Sequence, residues 1–112
     1  MPRLRRIPVV VSLAAVAALG AQSALSTAAT TKSISVKDDF FSPKNVTISK
    51  GTRVTWRWTG DSDHNVKSTG TKKFKSSTLK DTGTHKVTFT KTGTYNYECT
   101  LHDGMTGRIK VN

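Results

Sequence analysis

The residues best suited to chemistry lie near the C-terminus, in Tyr95-Asn96-Tyr97-Glu98-Cys99-Thr100-Leu101-His102-Asp103-Gly104-Met105. This stretch holds the only cysteine, one of three histidines and one of two methionines. Its first half alternates as a strand does, with Tyr95, Tyr97 and Cys99 on one face and Asn96, Glu98 and Thr100 on the other. Asp103-Gly104 is a turn signal and cannot continue that strand. Cys99 is therefore expected at a strand end, with His102 and Met105 folded back beside it. A thiolate, an imidazole and a thioether make a soft-to-borderline donor set, the kind that suits copper. Each donor taken alone has a plainer reading. Cys99 is then a buried inert thiol, His102 an idle surface side chain, and Met105 a core residue beside Ile109.

The rest of the chain bears on that choice. Arg3, Arg5 and Arg6 precede a nearly apolar run from Ile7 to Leu19, and small residues follow it. This is the pattern of a secretory signal, so residues 1–28 are read as a signal peptide, cleaved somewhere between 23 and 29. The run is shorter than the ~20 residues a membrane-spanning helix needs, so no membrane insertion is expected after cleavage. An uncleaved anchor is the alternative, and Arg5-Arg6 leaves a twin-arginine route beside the general one. The destination is then periplasmic, secreted or cell-surface. A lone cysteine forms no disulfide within its chain, and free thiols outside the cell tend to oxidise or pair. Metal ligation accounts for Cys99 without a partner.

Residues 29–112 make one small domain, whose modest core would gain from a bound metal. Removing the three signal arginines from 18 basic residues leaves 15 against 7 acidic ones, a charge of about +8. The charges are spread out, apart from Lys72-Lys73-Phe74-Lys75. No arginine-rich run or interleaved aromatic series points to base recognition, so no nucleic-acid role is expected. An acidic redox partner or an anionic surface is the expected counterpart, and the protein is expected to be a monomer.

The elements that must position the donors are short and alternating. Ser33 to Lys37 turns Ile34 and Val36 inward, and Asp38-Asp39 breaks it. Phe40-Phe41-Ser42-Pro43 reads as an apolar corner, and Val46 and Ile48 mark the next strand. Arg53 to Thr59 places Val54, Trp56 and Trp58 on one face. The loop after it delivers His64-Asn65-Val66. A polar, lysine-rich section follows, with Phe74 and Leu79 as its expected apolar anchors and room for a short helical turn. His85, Val87 and Phe89 share a face, and Ile109 and Val111 close the chain. With no sustained helical period, the fold class is all-β, a single small Greek-key β-sandwich or barrel.

Set in order, these segments resemble a cupredoxin, and among cupredoxins the plastocyanins and amicyanins. The matching stretches are Phe41-Ser42-Pro43 to Ile48, Gly51, Val54-Thr55-Trp56, His64-Asn65-Val66, Phe74-Lys75-Ser76 with Leu79, Val87 to Thr90, and Gly93-Thr94-Tyr95 through Gly107, with Ile109 and Val111. Two residues separate Cys99 from His102 and two separate His102 from Met105, which is similar to the short amicyanin loop. The resemblance implies one type 1 copper ion. His64, Cys99 and His102 would supply two nitrogens and a sulfur in a plane, with Met105 as a weak axial ligand. It also implies a hydrogen bond from the ligand loop to Asn65, with Thr100 as its partner, and electron exit through His102 with Leu101 and Asp103 around it. His64 as a turn-capping histidine is the plain alternative. His85 sits where relatives carry Tyr or Phe and is read as packing, not as a ligand.

Two departures concern the partner. Leu101 stands where the family often has proline, and Asp103-Gly104 where amicyanins have Pro-Phe, which puts a carboxylate near His102 and a freer backbone after it. The expected function is a single-electron carrier cycling between Cu(I) and Cu(II), with extracytoplasmic copper storage or delivery as the alternative. An enzyme fits poorly, because only His85 would remain to build a second metal centre.

Overall fold

The computed structural model describes residues 30–112, and the expected signal peptide lies outside them. Eight strands follow one another: β1 (Thr31–Lys37), β2 (Phe40–Ser42), β3 (Asn45–Ile48), β4 (Arg53–Trp58), β5 (Lys67–Thr69), β6 (Thr84–Thr88), β7 (Gly93–Glu98) and β8 (Thr106–Val111). They form two four-stranded sheets, ordered β2-β1-β4-β6 and β3-β8-β7-β5. The β1/β4 and β3/β8 pairs are parallel and the other pairs antiparallel. Two sheets facing one another across one core make this the all-β sandwich that the alternation predicts.

The inward faces carry the residues that the period of two assigns to them. Ile34, Val36, Val54, Trp56, Trp58, Ile109 and Val111 are all buried. Trp56 is the centre of an aromatic block, stacked on Phe74 at 5.5 Å and edge-on to Tyr97 at 5.4 Å. Such pairs add to the area they bury, because the ring edge meets the negative ring face. Phe41 joins the block edge-on to Tyr97 at 4.7 Å.

Three expectations differ from what is observed. Phe40–Ser42 is a short strand and not merely a corner, because its backbone pairs with Ser35 to Lys37. The lysine-rich section forms no helix among the described residues; Lys67–Thr69 pairs with β7 instead. Leu79 is 51% exposed, so Phe74 is the apolar anchor of that section, and Ser76 and Ser77 fasten it further by hydrogen bonds to Ser68 and Val66.

Two connections determine where the chemistry sits. Lys37 pairs with Phe40, so Asp38 and Asp39 form a two-residue hairpin turn. Asp39 takes φ 74°, a left-handed conformation that Asp and Asn accept more readily than most residues. In β7 and β8, Glu98 pairs with Thr106, which leaves residues 99–105 as the hairpin loop.

Candidate metal centre

Three connections meet at one end of the sandwich: the Asp38-Asp39 turn, the segment after β4, and the loop between β7 and β8. The segment after β4 is tied down before it reaches His64. The Trp58 indole N–H donates to the His64 carbonyl at 3.1 Å. His64 and Lys80 exchange both backbone hydrogen bonds, at 3.0 and 3.1 Å. With its main chain held on both sides, the fully buried imidazole of His64 has little freedom left.

The loop carrying the other donors extends the strand ladder by one step. The Cys99 N–H donates to the Met105 carbonyl at 2.9 Å, so residues 99 and 105 face each other. The Met105 N–H donates to the His102 carbonyl at 3.3 Å, closing the turn. Gly104 has φ 78°, which glycine adopts at no steric cost. Cys99 and Met105 are buried, whereas the His102 side chain is 30% exposed. Asn65 joins the two loops, accepting the Thr100 N–H at 2.8 Å and the Thr100 hydroxyl at 3.3 Å.

The donor atoms converge. Cys99 Sγ lies 3.7 Å from His64 Nδ1 and 3.5 Å from His102 Nδ1, and the three atoms lie within 4.8 Å of one another. Metal bonds of about 2.0 Å to nitrogen and 2.3 Å to sulfur, opened to about 120°, span roughly 3.7 Å between the two donors. The two sulfur–nitrogen separations match that span, as donors sharing one ion would.

The remaining ring nitrogens each meet a carboxylate. His64 Nε2 lies 3.0 Å from Asp38 Oδ1, and His102 Nε2 lies 3.2 Å from Asp39 Oδ1. An ionised carboxylate only accepts hydrogen bonds, so each Nε2 is the donor there, and each Nδ1 is the ring nitrogen turned toward Cys99 Sγ. Two ring nitrogens and a sulfur then face one another. That is a site built for a cation. Two imidazoles, a thiolate and a neighbouring thioether are donors that favour copper.

Asp38 is itself fixed. Its carboxylate accepts the Asp61 N–H at 3.0 Å and the Ser62 N–H at 3.0 Å, besides the His64 ring. The Asp61 backbone bond first, then the His64 and Ser62 bonds, hold its pKa down at about 2 against the usual 3.8.

His64, Cys99 and His102 thus come together from two loops, with Met105 buried on the same loop. Leu101, 52% exposed, stands at the loop tip beside His102, and Asp103 is exposed after it. The carboxylate on the His102 ring belongs to Asp39, not to the neighbouring Asp103. His85 is elsewhere, facing Trp56 at 5.7 Å with Nε2 donating to the Lys75 carbonyl at 2.7 Å. Asp38 and Asp39 are the site residues that sequence reasoning missed. Their only sequence signal is a break between two strands, which any pair of turn formers gives.

A family profile described as the cupredoxin-like domain matches residues 9–111. A search of curated protein sequences returns no match. Among solved structures, a purple cupredoxin from Nitrosopumilus maritimus is similar at 26% identity and TM-score 0.66, covering 72% of this chain and 99% of its own. An oxidised amicyanin variant is similar at 22% identity and TM-score 0.63, covering 72% of this chain and 81% of its own. A plastocyanin from Dryopteris crassirhizoma is similar at 23% identity and TM-score 0.61, covering 71% and 99%. The last two are likenesses of fold.

Proposed function

The chain belongs to the cupredoxin-like domain family, and from that premise we propose that it is an exported type 1 copper protein that carries single electrons between redox proteins. The observation that carries this reading is the convergence of His64 Nδ1, Cys99 Sγ and His102 Nδ1 at separations one ion can bridge. When bound, the copper ion supplies the Cu(I)/Cu(II) couple. The chain's own residues do the rest. His64, Cys99 and His102 would hold the ion, with buried Met105 as a weak fourth donor. The Asn65 carbonyl and the His64–Lys80 backbone pair keep the two loops in place, so the donors do not rearrange between oxidation states. His102 is the donor with an exposed edge, and with Leu101 beside it forms the place where a partner is met.

Burial favours a carrier over a copper-delivery protein. His64 is 0% and Cys99 3% exposed, so an acceptor's thiol has no path to the sulfur. An enzyme would need a second centre, and His85 already donates to a main-chain carbonyl away from the three donors. Export follows the basic and apolar N-terminal pattern, and the net positive charge suits an acidic redox partner at long range. Addition of Cu(II) to the protein freed of residues 1–28 is expected to give an intense thiolate-to-copper band. The band disappears in Cys99→Ser and shifts in Met105→Leu. A colourless complex, or colour that survives Cys99→Ser, overturns the reading.

A further inference from the structure

We propose that Asp38 and Asp39 form a carboxylate clasp that orients both donor histidines through their outer nitrogens and biases the site toward the oxidised metal. The proposal rests on the reading of His64 and His102 as copper ligands. Its basis is one turn that serves two rings. Asp38 reaches His64 Nε2 at 3.0 Å and Asp39 reaches His102 Nε2 at 3.2 Å, although the two histidines come from different loops.

The turn is shaped for this. Lys37 pairs with Phe40, so the hairpin contains only these two residues, and the left-handed φ of Asp39 goes with carboxylates that reach different rings. Backbone N–H groups of Asp61 and Ser62 lock the Asp38 carboxylate in position. Gly60 leaves the space it needs, because a Cβ there would lie 2.3 Å from Asp38 Oδ1 and 2.8 Å from the Asp38 nitrogen. No part of this arrangement is required to close a two-residue turn. It is required to seat a carboxylate against His64.

Two physical effects act in the same direction. A carboxylate on the Nε2–H raises the basicity of Nδ1 and fixes the ring orientation. Two negative charges beside the centre also stabilise the more highly charged Cu(II) over Cu(I). The two residues are positioning groups, and they differ in exposure. The Asp38 side chain is 40% exposed and that of Asp39 70%, so added salt screens the contribution of Asp39 more.

The test uses Asp38→Asn, Asp39→Asn and the double variant. Asparagine oxygen still accepts the Asp61 and Ser62 N–H groups, and asparagine tolerates the positive φ at position 39. In the copper-loaded protein the reduction potential is expected to rise in each single variant and further in the double one. The rise from Asp39→Asn shrinks in high salt and that from Asp38→Asn persists. In NMR spectra of both the metal-free and the reduced protein, the His64 Nε2–H resonance is expected to move upfield in Asp38→Asn. The His102 resonance does so in Asp39→Asn. Potentials that stay put or fall, or ring N–H signals indifferent to both substitutions, overturn the clasp. A wild-type protein that gives no thiolate-to-copper band overturns the ligand reading instead. The metal-free NMR signals then decide the clasp by themselves.

Discussion

His85 occupies a position on β6 opposite Trp56, and its surroundings give it a different task from the other two histidines. Burial first, and then the charges of Lys80 and Lys75, pull its pKa below the usual 6.5, against the bond to the Lys75 carbonyl. A histidine held neutral in the fold binds fewer protons there than in the unfolded chain, so stability is lost as pH falls below about 6.5. Asp38 acts in a separate and lower window. Its carboxyl is held at about 2 against 3.8, so its contribution is present above about pH 4 and is lost as pH falls through 2. Urea denaturation of the metal-free protein measures both. His85→Phe is expected to flatten the stability profile between pH 7 and 5 relative to wild type, and Asp38→Asn to flatten it between pH 4 and 2. An unchanged slope in His85→Phe would mean that the histidine titrates equally in both states.

At the scale of the strand, β8 depends on the absence of a side chain. Gly107 lies opposite Tyr97, and a Cβ at position 107 would sit 2.2 Å from the ring and 2.3 Å from its hydroxyl oxygen. The ring cannot yield, because Phe41 and Trp56 hold it edge-on from two sides. Gly107→Ala is therefore expected to destabilise the metal-free protein by about 1–3 kcal/mol, the usual cost of overpacking a filled core. Among the described residues the Tyr97 hydroxyl and the Trp56 indole N–H are buried without a well-formed hydrogen bond, and burial pushes the tyrosine up to about 12 against a smaller opposing pull from Trp56. Tyr97→Phe removes that orphan oxygen and should recover part of the loss in the double variant, read as a return of the urea midpoint. These strands also show what a sequence can and cannot reveal. Alternation marked Val54, Trp56 and Trp58 as inward, because a half-buried strand has a period of two, and it marked Tyr95, Tyr97 and Cys99 likewise. Cys99, His102 and Met105 were legible because their chemistry is rare and their spacing short, whereas His64, 35 residues before Cys99, was legible only through the family resemblance. Phe40–Ser42 and Lys67–Thr69 were not, since three residues are too few to show a period. Asp38 and Asp39 were hidden for another reason. Their partners are His64 and His102, remote in sequence, and only the closure of the sandwich brings them within hydrogen-bond reach.

Across the whole molecule the charges separate in a way the net value of about +8 conceals. Asp38 and Asp39 touch the histidines, Asp61 donates its N–H to Asp38, and Asp63 precedes His64. Asp81 follows the Lys80 that pairs with His64, while Glu98 and Asp103 flank Cys99 and His102. All seven acidic residues thus belong to the metal-bearing end, which they share with Lys37, Lys67 and Lys80. Lys50, Arg53, Lys91 and Lys72 stand at the other end, where Gly51 bonds to Phe89 and Lys72 lies against Gly93. A six-residue strand such as β4 spans about 20 Å, twice the Debye length of about 10 Å at 0.1 M salt. Above that salt concentration the basic pole is screened from His102, where Asp39 touches the ring and Asp103 is the next residue in the chain. Electron exchange between the copper-loaded protein and a small cationic complex such as hexaammineruthenium should then slow as salt rises from about 0.1 to 1 M. A reactant that presented only its net positive charge would do the reverse. Substituting Asp39→Asn and Asp103→Asn together should flatten the dependence, and stopped-flow rates at a series of salt concentrations read it directly. A rate that rises with salt in the wild type would place the exchange at the basic surface, away from His102.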